Sequence, residues 1–280
     1  HPVAHSFPTR RSSDLQIWRA RAAEGCGRAD EARDRYRILA ARAPTRARAL
    51  EGLMRLSTEP EHDGDVIRLG EKLLAADTGA GIKPAVHRRV GLAHLRSGDA
   101  DRAIALFEEA DRVAGGDPQA LELLAQAYER RGDTAAQAAA LERLAYLIGD
   151  TPSALHLAVA GRLYLDQLDD PARAEHLFRV AAEHEPDSPD VLLGLADACW
   201  IGGDRPAVAR SLERISVVAP WFRLDARHRY RLAAALAETG AWPAADILEL
   251  LLRAVPELEG EERAAAEALA ADLSAGGDRR

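Results

Sequence analysis

Nine histidines and two cysteines are the side chains of this 280-residue sequence best suited to metal or nucleophilic chemistry. His87 and His94 stand seven apart, a spacing that puts both on one helix face. Thirty-four residues further on, the same positions hold Leu121 and Tyr128, so the pair reads as packing residues rather than ligands. His176 and His184 have no third ligand near them. Cys26 and Cys199 each fall inside a helical pattern, where a lone cysteine packs as a small hydrophobe, and no C-x-x-C pair exists. Glu61-His62-Asp63-Gly64-Asp65 is acidic like a calcium loop but lacks the alternating oxygen ligands and the closing glutamate. Gly79-Ala80-Gly81 follows no strand, as a phosphate cradle requires, and no serine or cysteine sits in a nucleophile motif. The expectation is no catalytic residue, no metal site and no cofactor: not an enzyme.

The elements carrying these residues are helical. Hydrophobic residues make up 47% of the chain but aromatics only 5%, and the apolar count is dominated by Ala and Leu. Such a chain makes thin helix-on-helix contacts, not one thick core, and lacks runs of strand-favouring residues. The net charge of −8 is spread over mixed-sign helix faces with no basic stripe, which argues against nucleic-acid binding. No apolar run is long enough for a membrane span. Of 37 basic residues only Lys72 and Lys83 are lysine, a bias that fits a GC-rich bacterial coding sequence.

Residues 5–15, His5 to Leu15, match the in-frame translation of a common sequencing adapter. Segment 1–15 is therefore expected to be non-native and disordered, with the natural start of the protein, and any signal or upstream domain, missing. Localisation, cytoplasmic or periplasmic, stays open on that account.

From Gln16 on, the chain repeats itself at a period in the mid-thirties. In the best unit Val90, Gly91 and His94 share one face of a first helix that ends at Ser97-Gly98-Asp99. A second helix then carries Ala103, Phe107 and Ala110. Later units align Leu124, Ala125, Tyr128 with Gln137, Leu141, Leu144, and Ala160, Gly161, Tyr164 with Ala174, Phe178, Ala181. A further one aligns Leu195, Ala196, Cys199 with Val208, Leu212, Ile215. The small column lets two helices cross closely, and the aromatics fill the space between hairpins. Gly98, Gly132 and Gly203 close first helices, and Pro44, Pro186, Pro220 and Pro256 end second ones. The anchors Ala32, Val66, Ala103, Gln137, Ala174, Val208 and Ala244 are separated by 34, 37, 34, 37, 34 and 36 residues.

This pattern resembles the tetratricopeptide repeat. The resemblance covers residues 16–256 and implies an all-α, right-handed superhelical solenoid of about seven helical hairpins. Residues 257–273 read as a capping helix with Leu258, Ala265, Leu269 and Leu273 on one side, and 274–280 as a disordered tail. The family binds extended peptides or helices in a concave groove lined by first helices. The resemblance therefore implies a protein-interaction scaffold whose groove residues are Arg88, Leu92, Glu122, Gln126, Arg162, Asp197 and Trp200. Leu95, Glu129, Ala158, Leu165 and Leu193 are further lining positions, and Trp200 is the preferred contact, read either as an outward hot spot or as packed on the adjoining hairpin. No lysine or asparagine lies in that groove, so a carboxylate clamp of the kind some family members use is not expected. A regulatory module of a larger enzyme or transcription regulator, or an envelope-assembly lipoprotein, are the alternatives. The partner is a protein or peptide of unknown identity.

Overall fold

Strong helix formers give a wholly helical structure among the described residues. The computed structural model describes residues 9–42, 45–57, 62–75, 84–219 and 223–277. It divides into two compact units, residues 1–133 and 134–280. The first holds α1 (Thr9–Gly25), α2 (Ala29–Ala40), α3 (Arg46–Leu56), α4 (Asp63–Ala75), α5 (Pro84–Arg96), α6 (Ala100–Ala114) and α7 (Pro118–Arg131). The second holds α8 (Thr134–Leu147), α9 (Ala154–Asp166), α10 (Pro171–His184), α11 (Pro189–Gly202) and α12 (Arg205–Val218). It continues with α13 (Ala226–Thr239), α14 (Ala244–Ala254), a 3-10 turn (Val255–Glu257) and α15 (Gly260–Gly277). Within each unit every helix packs on the next in sequence. The architecture is an all-α solenoid of repeated hairpins closed by a terminal helix.

Turn chemistry explains where the helices start and stop. The Asp99, Asp170, Asp204 and Asp225 carboxylates accept from the backbone N–H three residues on, at 3.1, 2.9, 3.0 and 2.8 Å. Each satisfies a donor that the first helical turn leaves free. Gly132 and Gly203 end α7 and α11 in the left-handed region, as expected. Where the Leu168-Asp169-Asp170-Pro171 turn lacks a glycine, Asp169 takes the positive φ of 52° itself.

Packing follows the small and aromatic columns. Phe178 on α10 is fully buried between two glycines, Gly161 of α9 and Gly194 of α11. A methyl group on Gly194 would approach the ring closer than 3.0 Å, so the close crossing requires glycine there. Phe107 on α6 packs in the same way on Gly91 of α5, and Tyr36 on α2 packs on Gly52 of α3. Ala32, Val66, Ala103, Ala174 and Val208 are all buried at their anchor positions. His87 and His94 are buried in the packing face of α5.

Four expectations need correction. The seventh anchor is Ile247, because Ile247, Leu251 and Ala254 are buried at i, i+4 and i+7 while Ala244 is exposed. Ile247→Val should then lower stability by about 1 kcal/mol, and Ala244→Ser should change it by no more than ~0.5 kcal/mol. Urea unfolding of the two variants checks this register, and the reverse order would refute it. The second correction concerns residues 9–15, expected to be disordered, which form the start of α1. Extending a helix already anchored by buried Ile17, Ala20 and Ala23 costs far less than nucleating one. Asp14 there also pairs with Arg48 of α3 at 2.6 Å. Third, the terminal helix runs on to Gly277 and buries Ala266, not Ala265, with Leu258 in the turn before it. Fourth, Cys26 is exposed in the turn after α1, whereas Cys199 is buried as expected. Residues 1–8, 278–280, Pro44, Glu61, Gly79-Ala80-Gly81 and Pro220 lie outside the described residues.

Candidate functional site

In the first unit the expected groove residues stand on α5 and α7. Arg88 is half-buried and its guanidinium pairs with Asp117, the residue that caps α7 by accepting from Gln119 and Ala120 N–H. That ion pair ties the two first helices together. Leu92 is half-buried, while Glu122 and Gln126 are exposed. Both remain available for contact.

In the second unit Arg162, Asp197 and Trp200 are drawn into a polar network. The Asp197 side chain is only 14% exposed and serves three cations. It accepts from Arg162 of α9 at 2.7 Å, from His228 of α13 at 3.0 Å and from Arg231 of α13. Arg231 also lies 3.7 Å from Glu262 of α15, which Arg227 pairs at 3.1 Å. Trp200 is half-buried. Its ring meets Tyr230 of α13 edge-on at 5.7 Å, and the Arg205 guanidinium stacks over it at 3.6 Å. Of its two readings, packing on the adjoining hairpin is the one this geometry fits. On α9, Leu155, 66% exposed, and Val159 share one outward stripe with Arg162.

The network was not visible from single residues, but a column signal existed. Arg162, Asp197 and Arg231 follow one another at 35 and 34 residues, the repeat spacing, with alternating charge. Arg231 and His228 come into view only once α13 is aligned as a first helix. Leu95, expected in the groove of the first unit, is buried at 1% exposed, and Ala158 and Leu165 are the residues of α9 expected beside Arg162. Both pack against core clusters, so the outward stripe of α9 falls at Leu155 and Val159 instead.

Titration of this cluster is coupled to folding. Burial alone would raise Asp197, but its hydrogen bonds from His228 and Arg162 outweigh it and hold the carboxyl below its ordinary value. Burial likewise opposes protonation of His228, yet Asp197 and then Asp225 overcome it and raise the imidazole above 6.5. Folding therefore favours protonated His228. Its contribution is complete below the unfolded value and fades as pH rises through the higher folded one. Melting temperature should accordingly fall on the alkaline side of pH 6.5, and His228→Gln should flatten that part of the profile. An unchanged slope in the variant would rule His228 out as the titrating group.

Glu175, Cys199 and Asp204 bring their ligand atoms within 4.8 Å of one another. Arg179 already holds this group, donating to Glu175 at 2.8 Å and Asp204 at 3.0 Å. Burial, then Glu175, pushes the Cys199 thiol up to about 11, so a metal-binding thiolate is disfavoured. The cluster ties α10 to the turn after α11.

Polar side chains brace neighbouring first helices around packed small and aromatic columns, the architecture of a helical-hairpin repeat array. The tetratricopeptide-repeat family profile matches residues 88–154 and 159–214, so these two stretches carry tetratricopeptide repeats. No curated protein matches the sequence. Among solved structures, one of Naa15/Naa10 bound to HypK-THB is similar with a TM-score of 0.64 at 11% identity, over 93% of this chain and 39% of that one. The C-terminal part of a repeat-containing protein from Cytophaga hutchinsonii gives a TM-score of 0.52 at 15% identity, over 94% of each chain. A yeast Sti1 domain in complex with pHSP90 gives 0.47 at 17% identity, over 94% of this chain and 99% of that one. At these identities the likeness is one of fold.

Proposed function

We propose that the chain is a protein-interaction scaffold that holds a peptide or helical partner on its first-helix faces. The observation that carries this reading is the outward stripe of α9, where Leu155 and Val159 stand exposed beside Arg162. On α7 of the first unit, Glu122 and Gln126 are likewise exposed. Repeat scaffolds spend their packing residues on neighbouring hairpins and leave such stripes for ligands. An aliphatic pair left in water on an otherwise well-packed helix gains about 25 cal/mol per Å² when a partner covers it.

Leu155→Glu with Val159→Glu should abolish capture of the partner while leaving helicity intact. Val217→Glu on α12, a second helix, should leave capture unchanged, since Val217 is 75% exposed and off that stripe. Affinity capture followed by mass spectrometry, with circular dichroism of each variant, reads both effects. Equal capture by all three proteins would sink the assignment. Trp200 is a poor probe for this purpose, because truncating it also removes its contacts with Tyr230 and Arg205.

A further inference from the structure

A cavity of about 950 Å³ opens in the first unit between the second helices α2 and α4, with α3 as its floor. The residues of α3 that line it are Arg46, Leu50 and Leu53, with Ser57 just past its end. The α3 counterparts of the groove positions Arg88 and Leu92, 37 residues earlier, are Glu51 and Arg55, and neither lines the cavity. It is a separate surface from the first-helix face.

Its chemistry is at odds with the acidic chain that carries it. Arg33 and Arg37 stand one helical turn apart on the α2 wall, Arg68 and Lys72 one turn apart on the α4 wall, and Arg46 lies between them on α3. Among the described lining residues, Asp65 is the one carboxylate set against these five cations. Arg33, Arg37 and Arg68 each hold an exposed carboxylate one turn back: Asp30 at 2.7 Å, Asp34 at 3.1 Å and Asp65 at 2.7 Å. Such exposed i, i+3 pairs are worth a few tenths of a kcal/mol and exchange readily for a ligand's carboxylate. Arg46 and Lys72 take no partner among the described residues. Between Arg46 and Ser57 the floor is apolar, with Leu50 4% and Leu53 7% exposed.

We propose that this cavity binds an acidic peptide segment of a partner protein that carries an aliphatic side chain between its carboxylates. Cations one turn apart on each wall have their Cβ atoms about 5–6 Å apart. Alternate side chains of an extended peptide repeat at about 6.6–6.8 Å, close enough for successive carboxylates to meet successive cations. The leucine floor then takes the aliphatic group. A single phosphate fits less well, because the positive charge is spread over three helices instead of converging on one point. A nucleic-acid strand fits less well again, because the described lining residues offer a base one imidazole, His62, and no phenyl, phenol or indole ring to stack on.

The test uses the full chain and a fluorescein-labelled peptide, Glu-Glu-Leu-Glu-Glu with blocked ends, followed by fluorescence anisotropy at low and raised salt. Saturable binding is expected for this peptide and not for the equally labelled Gln-Gln-Leu-Gln-Gln. Arg46→Glu combined with Lys72→Glu should weaken it by about tenfold or more, and so should raised salt. Both side chains are exposed and take no partner among the described residues, so helicity should survive the double change, which circular dichroism checks. Leu155→Glu, on the other unit, should leave this binding unchanged even where it abolishes partner capture, which separates this site from the first-helix one. Failure to saturate at millimolar protein, undiminished binding by the double variant, or binding of a labelled oligouridine in place of the peptide would overturn the proposal.

Discussion

Phe178→Ala is expected to lower the free energy of unfolding by about 3–5 kcal/mol, one of the two largest effects expected of a single substitution in this chain. The ring is fully buried, and glycines lie against both of its sides. Neither Gly161 nor Gly194 has a side chain that could relax into the space left behind, so the cavity term adds in full to the lost transfer energy. Because each hairpin contacts only its neighbours, the loss should be read locally as well as globally. Hydrogen exchange of α9, α10 and α11 should accelerate more than that of α14 and α15. Urea unfolding followed by circular dichroism gives the global value, and a change under ~1 kcal/mol would show that the ring does not pin the two hairpins together.

Asp197→Ala should be nearly as damaging, at roughly 3–5 kcal/mol, for a different reason. Removing the carboxylate strands Arg231, whose side chain is 11% exposed, with only Glu262 at 3.7 Å left to offset its charge. It also removes the shared acceptor of Arg162 and His228. A buried charge without its partner costs more than the ion pair contributed. Asp197→Leu combined with Arg231→Leu should therefore be less destabilising than Asp197→Ala alone. Melting curves of the two variants decide the matter. If the double replacement is the worse of the two, the network contributes net stability beyond mutual compensation.

These two sites also mark how far the sequence was legible. The Phe178 site was readable because its parts obey a period. Gly161 and Phe178 recur in register with Gly91 and Phe107, and the same contact between small and aromatic residues follows in both units. Gly194 and Gly52 were not anticipated as partners of Phe178 and Tyr36, since they lie off the column that defines the repeat. Register failed at the last hairpin for a related reason. Ala244 continues the alanine column in sequence, but the longer Gly240-Ala241-Trp242-Pro243 turn carries it into solvent and hands its place to Ile247. The polar network lay further from reach. Whether an arginine on a first helix faces a ligand or a neighbouring hairpin depends on the residue one repeat away. Arg162 shows its role only when Asp197 and Arg231 are set beside it. Exposed stripes such as Leu155–Val159 are harder still, because an apolar residue in an amphipathic pattern is assigned to the core until packing shows otherwise.

The account rests on first-helix faces being the surface that a partner covers, and site-specific photo-crosslinking tests this most directly. A benzophenone side chain placed singly at Leu155 or Gln126 should trap the partner on illumination. The same group at Val217, equally open to solvent but on a second helix, should trap none. Adducts at Val217 with none at Leu155 or Gln126 would contradict the account.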